Sequence, residues 1–237
     1  MKFKPLLSIR DHIRNFFDNR EKKKVRRDYE KNGKKIGLFG MPSAGKTVFS
    51  KYLRTGEYTK ASDPKNNTTT YSKPILFEEI LLNKESKVKI YSLIDLKSHQ
   101  KGTEYSEENN YLEKSDIILY FFDVNKLYKD KDKGEEQKSY FNDIKNEIEL
   151  FAKFFREFKE KGKGNSLPKD KVFIPIGTHY DEVENKQELQ NYISQKEHEF
   201  KKLFGELKCK QPEPLYFNSL IGEEIKKTKE LIDEVLL

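Results

Sequence analysis

Gly40, Gly45, Lys46 and Thr47 stand in the spacing G-x-x-x-x-G-K-[ST] inside "GLFGMPSAGKTVF", residues 37–49. The chemistry this spacing serves is phosphate binding. Successive backbone N–H groups can curl around a phosphate only where glycine lets the chain turn tightly. The lysine then reaches the β and γ oxygens, and the threonine hydroxyl ligates Mg²⁺. A helix starting at the end of the loop adds its partial positive charge. An apolar run precedes the loop here and a helical segment to about Arg54 follows, so the context fits as well as the spacing. The expected nucleotide contacts are Met41, Pro42, Ser43, Ala44, Gly45, Lys46, Thr47 and Val48.

The elements that must position this loop are legible in the hydropathy pattern. "IGLFG" reads as a short buried strand, and residues 55–73 lack periodicity and read as a long loop. "PILFEEILL" and "KVKIYSLID" read as a hairpin joined by "NKES", followed by a short polar helix near 104–114. "DIILYFFDV" is an unbroken apolar run of the kind a central strand shows when both its faces are covered. Phe141, Ile144, Ile148, Phe151, Phe155 and Phe158 recur every three or four residues, predicting one long amphipathic helix over 135–161. "KVFIPIG" is another buried strand, 186–204 a helix, "PLYFNS" a last strand and 222–236 a last helix. The order β-α-β-β-α-β-α-β-α-β-α predicts an α/β fold with a mostly parallel, six-stranded sheet flanked by helices. Residues 34–237 form this body, and residues 1–33 stand apart as a basic arm.

Three further segments bear on which nucleotide is bound. "SLIDLKSH" closes one strand, "THYD" (Thr178 to Asp181) follows another, and "NSLIG" (Asn218 to Gly222) ends the last. With "GMPSAGKT" and the order of elements, these make the chain resemble the Ras-like small GTPases of the P-loop NTPase class, over roughly residues 35–237. The resemblance implies a GTP/GDP-binding switch with Mg²⁺ as cofactor. In it, Asp95 matches the aspartate of the Asp-x-x-Gly motif and holds Mg²⁺ through water, alongside Thr47. Asp181 matches the base-reading aspartate of [NT]-K-x-D, whose carboxylate accepts from guanine N1 and N2, which adenine cannot offer. Thr178 and His179 begin that motif, and Asn218, Ser219 and Leu220 stand where the family carries S-A-K-x-G. "NNTTTYS" falls in the first switch loop, where Thr70 or Thr69 would reach Mg²⁺ and the γ-phosphate.

The departures from the family concern hydrolysis. Ser98 replaces the glycine that lets a backbone N–H approach the γ-phosphate, and Pro42 occupies a loop position that often holds glycine. His99, with Gln100 after it, falls where a glutamine usually orients the attacking water. The resemblance implies Lys46, His99 and Gln100 as catalytic groups of a slow GTPase. A nucleotide-loaded interaction module that does not hydrolyse is the rival reading, and a P-loop ATPase or kinase a third. His179, in place of the family's base-covering lysine, can stack on the base. Leu220 can only pack against it.

Charge sets the remaining expectations. The first 35 residues carry thirteen Lys/Arg and five Asp/Glu, a net of +8 in a chain whose total is +7, so the rest comes to −1. A near-neutral body argues against a general nucleic-acid-binding domain. In the arm, Phe3, Leu6, Ile9, Ile13 and Phe16 fall at helical spacing before a cationic stretch. Such an arm can dock on its own domain, lie on an anionic membrane surface as the Arf-type helix does, or bind RNA or an acidic protein. An effector or regulator protein is expected in either switch reading. The single cysteine, Cys209, excludes an internal disulfide framework and is expected to be a buried thiol. With no membrane-length apolar run and no secretory leader pattern, the expectation is a cytoplasmic protein, peripheral at the membrane if the arm binds there.

Overall fold

The computed structural model of the 237-residue chain describes residues 33–55, 75–76, 90–95, 115–131, 139–160, 171–207, 209, 216–217 and 230. Its elements are β1 (Lys34–Gly40), α1 (Lys46–Thr55), β2 (Ile75–Leu76), β3 (Ile90–Asp95), β4 (Ile117–Asp123), α2 (Val124–Lys129), α3 (Tyr140–Glu160), β5 (Val172–Thr178), a 3₁₀ turn (Tyr180–Glu182), α4 (Lys186–Gly205) and β6 (Tyr216–Phe217). This is an α/β arrangement. The strands lie in the order β2-β3-β1-β4-β5-β6. All pairings are parallel except the short β2–β3 contact.

The unbroken apolar run Ile117–Asp123 is a central strand because both sides of it are covered. Every residue of β4 is buried. Alternate side chains point to opposite faces of a strand, and the ring contacts sort accordingly. Tyr120 and Phe122 meet Phe204 and Phe200 of α4 with ring centroids 6.2 Å apart in each pair. Phe121 meets Phe49 of α1 at 5.5 Å on the other face. On the α3/α4 side, Phe39 of β1 stacks on Phe151 of α3 at 4.5 Å. Each fully buried phenylalanine contributes about 1.5–3 kcal/mol by leaving water. These aromatics hold the strand ends, and hence the loops, in place.

Local signals set the helix starts. The Ser139 hydroxyl accepts from Asn142 N–H at the head of α3, and the Asn185 side chain accepts from Glu188 N–H at the head of α4. A polar side-chain pair also lies in the core: Tyr120 Oη donates to Glu147 Oε2 at 2.8 Å, with both residues buried. Burial, and then the Glu147 carboxylate, push the Tyr120 phenol well above its usual range.

The described helices differ from expectation at two places. The long helix was expected from residue 135 and begins at Tyr140. A separate one-and-a-half-turn helix, α2, follows β4 without a loop, because Asp123 ends the strand and caps the helix at once. The expected helix near 104–114 and the arm up to residue 32 lie outside the described residues, as does the last helix apart from helical Glu230. Among the described residues, no helix is long and apolar enough to cross a membrane.

Candidate functional site

Parallel strands bring their C-terminal ends to one edge of the sheet, where open α/β sheets place ligands. Gly40 ends β1 and pairs with Phe121, while Leu38 pairs with Asp95 at the end of β3. Asp123 pairs with Thr178 where β4 and β5 end. Four sequence motifs that lie far apart in the chain therefore meet at this edge by register alone: the loop after Gly40, Asp95, Asp123 and "THYD".

The loop after β1 turns tightly through three residues in left-handed or otherwise positive φ. Gly40 has φ 126°, Ser43 φ 59° and Gly45 φ 81°. Gly40 is required for space as well, since a Cβ there would lie 2.1 Å from Phe121 O. Met41 N–H donates to that same Phe121 carbonyl at 2.9 Å, so the loop is pinned to β4 at its first residue. Met41 and Ala44 are buried, while Pro42 and Ser43 face outward. The first helical bond, Phe49 N–H to Gly45 O at 3.0 Å, starts α1, whose first-turn N–H groups point out of its N-terminal end towards the loop. Lys46 is folded under the loop, only 6% exposed, and its ammonium donates to Gly40 O at 2.7 Å and Met41 O at 2.8 Å. Two loop carbonyls thus hold the cation against the turn. Thr47 follows on the first turn, and Val48 packs partly buried against the core.

The second motif is tied to the first by one hydroxyl. Thr178 is fully buried, and its Oγ1 lies 3.1 Å from both Ala44 O, in the loop, and Phe122 O, in β4. His179 adopts left-handed φ 59°, ψ 30°, and its Nδ1 lies 3.0 Å from Thr178 Oγ1 and 3.7 Å from Asp123 Oδ2. Histidine tolerates this conformation better than most residues, and a non-glycine residue held there is a frequent mark of a functional site. Ser43 and His179 are the described non-glycine residues with positive φ, and both belong to this edge. Asp181 is exposed on the 3₁₀ turn, free of the core and able to meet a ligand.

Behind these residues stands a network that the motif spacing did not single out. Asp123 Oδ1 accepts from the N–H groups of Asn125 and Lys126, capping α2, while Asp123 N–H donates to Tyr140 Oη at 2.9 Å. Asn125, buried, donates from Nδ2 to Glu182 Oε2 at 3.0 Å and so fixes the turn that carries Asp181. The signal for this was present in "DVNK", an aspartate at the end of an apolar run followed by helix-compatible residues, which is the pattern of an N-cap.

The remaining site residues expected from the sequence have no described side-chain geometry. Asp95 is described as the last residue of β3 and its side chain is not. Thr69, Thr70, Ser98, His99, Gln100, Asn218, Ser219 and Leu220 lie outside the described residues. Among the described residues no cluster of three or more His, Cys, Asp or Glu side chains could hold a metal. Mg²⁺ does not require one, since it takes one or two protein oxygens and fills its octahedron with phosphate and water. A cleft of about 790 Å³ between α3 and α4, with Phe141, Leu150 and Leu203 among its walls, is lined by none of the site residues named above.

No family model and no curated protein matches the chain. Among solved structures, a crystal structure of a mutation variant of SsGBP aligns with a TM-score of 0.42 at 13% identity, over 90% of this chain and 62% of that one. The chain therefore spans less than two thirds of that structure's length, and a likeness this distant identifies neither family nor activity.

Proposed function

We propose that this chain is a guanine-nucleotide switch with the P-loop fold of a Ras-like G domain, binding GTP and GDP with Mg²⁺ and hydrolysing GTP slowly. The observation that carries the reading is the join between two motifs: the Lys46 loop and the "THYD" segment share the Thr178 hydroxyl, which touches Ala44 O. A phosphate seat and a base-reading carboxylate linked in this way suit one nucleotide lying across both.

In this reading the first-turn amides of α1 and the Lys46 ammonium receive the β and γ phosphates, and Lys46 stabilises the charge that develops on transfer. Thr47 and Asp95 are the residues that would hold Mg²⁺, both offering the hard oxygen donors it prefers. The metal neutralises phosphate charge when bound. Asp181 accepts from guanine N1 and N2, His179 flanks the base, and Asn218 to Leu220 complete the base pocket. Thr70 or Thr69 serves the first switch, and His99 or Gln100 orients water. The arm of residues 1–33 is proposed to dock on the domain or on an anionic membrane, and an effector protein is the expected partner.

Identifying the nucleotide that co-purifies with the chain, then following its turnover with Mg²⁺, tests this directly. Bound GDP or GTP with slow release of phosphate is expected. Equal affinity for ATP and GTP would sink the guanine reading. Bound guanine nucleotide without turnover would favour a non-hydrolysing interaction module, the second reading, which Ser98 and Pro42 motivate.

A further inference from the structure

We propose that His179 makes nucleotide retention proton-dependent, tightening it as pH falls, because its ring is braced between the Thr178 hydroxyl and the Asp123 carboxylate at the edge of the base pocket. This rests on the nucleotide reading given above and adds regulation to it.

The hydrogen-bond arithmetic comes first. Thr178 Oγ1 has one proton to donate and two carbonyls within reach, Ala44 O and Phe122 O. If His179 Nδ1 carried no proton, the ring would compete for that single proton and leave both buried carbonyls unserved by the hydroxyl. With the proton on Nδ1, the ring donates to Oγ1 at 3.0 Å and the hydroxyl is released to serve the loop or the strand. The arrangement therefore fixes the neutral tautomer. A second proton goes to Nε2, on a ring that keeps 27% of its surface open to water.

The second proton also changes the ring's relation to its charged neighbours. Asp123, 8% exposed at its side chain, faces the ring at 3.7 Å from the end of β4. From α2, Lys126 stands at the same distance from that carboxylate and half exposed. From the 3₁₀ turn come Asp181 and Glu182, the latter engaged by Asn125. From the phosphate loop the charged group is Lys46, turned into the carbonyls of Gly40 and Met41. The charged group in contact range of the ring is thus acidic, and a nucleotide adds phosphate charge and an aromatic face. A cationic ring is attracted to both. Histidine changes charge between pH 5 and 8, where a lysine in this place would stay charged throughout. The substitution of an imidazole for a permanent cation is what converts a constant contact into a titrating one.

The test is equilibrium binding of fluorescent GDP to the full chain between pH 5.5 and 8.5, at fixed Mg²⁺ and salt, for the parent, His179→Gln, His179→Lys and Asp123→Asn. Affinities are read as ratios to His179→Gln at each pH, which removes the titration of the nucleotide's own phosphate and of Asp181. The parent ratio should rise about threefold from pH 8.5 to 5.5, the size expected of an exposed cation–π contact. The His179→Lys ratio should be high and flat. Asp123→Asn keeps a capping side chain for α2 but removes the charge, and its rise should move to lower pH. Binding with a flat parent ratio overturns the inference and leaves the nucleotide reading standing. Absence of guanine-nucleotide binding at every pH, in a chain folded by circular dichroism, overturns both.

Discussion

Replacing Gly40 with alanine should cost the protein about 2–4 kcal/mol of folding stability, a large part of the ~5–15 kcal/mol a domain has in total. Backbone strain and a lost hydrogen bond make up that figure. A backbone held at φ 126° is strained for any residue with a Cβ, at roughly 1–3 kcal/mol. The new methyl would meet Phe121 O at 2.1 Å, Phe121 N at 2.6 Å and the Phe121 carbonyl carbon at 2.9 Å, all backbone atoms of the central strand that cannot swing aside. Relieving this clash means parting β1 from β4 at their ends, which sacrifices the 2.9 Å bond from Met41 N–H to Phe121 O, at about 1 kcal/mol. Urea and thermal unfolding measure the sum, and at about 2–4 °C per kcal/mol the midpoint should fall by roughly 4–16 °C. Gly205, the exposed last residue of α4, is the internal control. A Cβ there meets nothing within 4 Å, so Gly205→Ala should be neutral or stabilise by about 0.5–1 kcal/mol. A Gly40→Ala protein as stable as the parent would refute the reasoning, since neither the strain nor the clash could then exist.

Four other expectations can be checked separately. Lys46→Ala removes the cation under the loop and should weaken guanine nucleotides and slow turnover together, by on the order of 10²-fold in single-turnover rate. Asp181→Asn should weaken GTP while favouring xanthosine nucleotides, because an amide can donate to the xanthine oxygen; unchanged base preference in competition binding would remove Asp181 from the base site. His99→Ala, and separately Gln100→Ala, should leave GDP and GTP affinity within a few fold while the one that orients water slows single-turnover hydrolysis by about 10²-fold. Burial pushes the Cys209 thiol up to about 11 from an ordinary value of 9.0, with Lys171 pulling slightly the other way. At pH 8, iodoacetamide should therefore label the folded chain ~100-fold more slowly than the unfolded chain. Because the unfolded thiol ionises first, the stability this group contributes is intact below pH 9 and lost progressively from there through about 11; a flat stability profile across that window would contradict the burial.

What the sequence determined by itself was the kind of most of the described elements, though not the short helix α2 or the start of α3 at Tyr140. "DIILYFFDV" suits a central strand covered on both faces, and β4 is one, buried at all seven of its positions. The spacing of Gly40, Gly45, Lys46 and Thr47 announced a tight glycine-bounded turn leading into a helix, and the structure has one. The tertiary structure decided which distant residues act together. Thr178 lies 134 positions from Ala44, and no local pattern announces that its hydroxyl touches the loop. Strand order and register bring them together, with β4 between β1 and β5. The same holds for Asp123: its sequence neighbours reveal a helix cap, but its second oxygen faces His179 only because Asp123 and Thr178 pair at the ends of adjacent strands. Periodicity reports which way a side chain points relative to its own element. Only packing fixes what stands opposite it, and the chemistry at this edge of the sheet depends on that opposite partner.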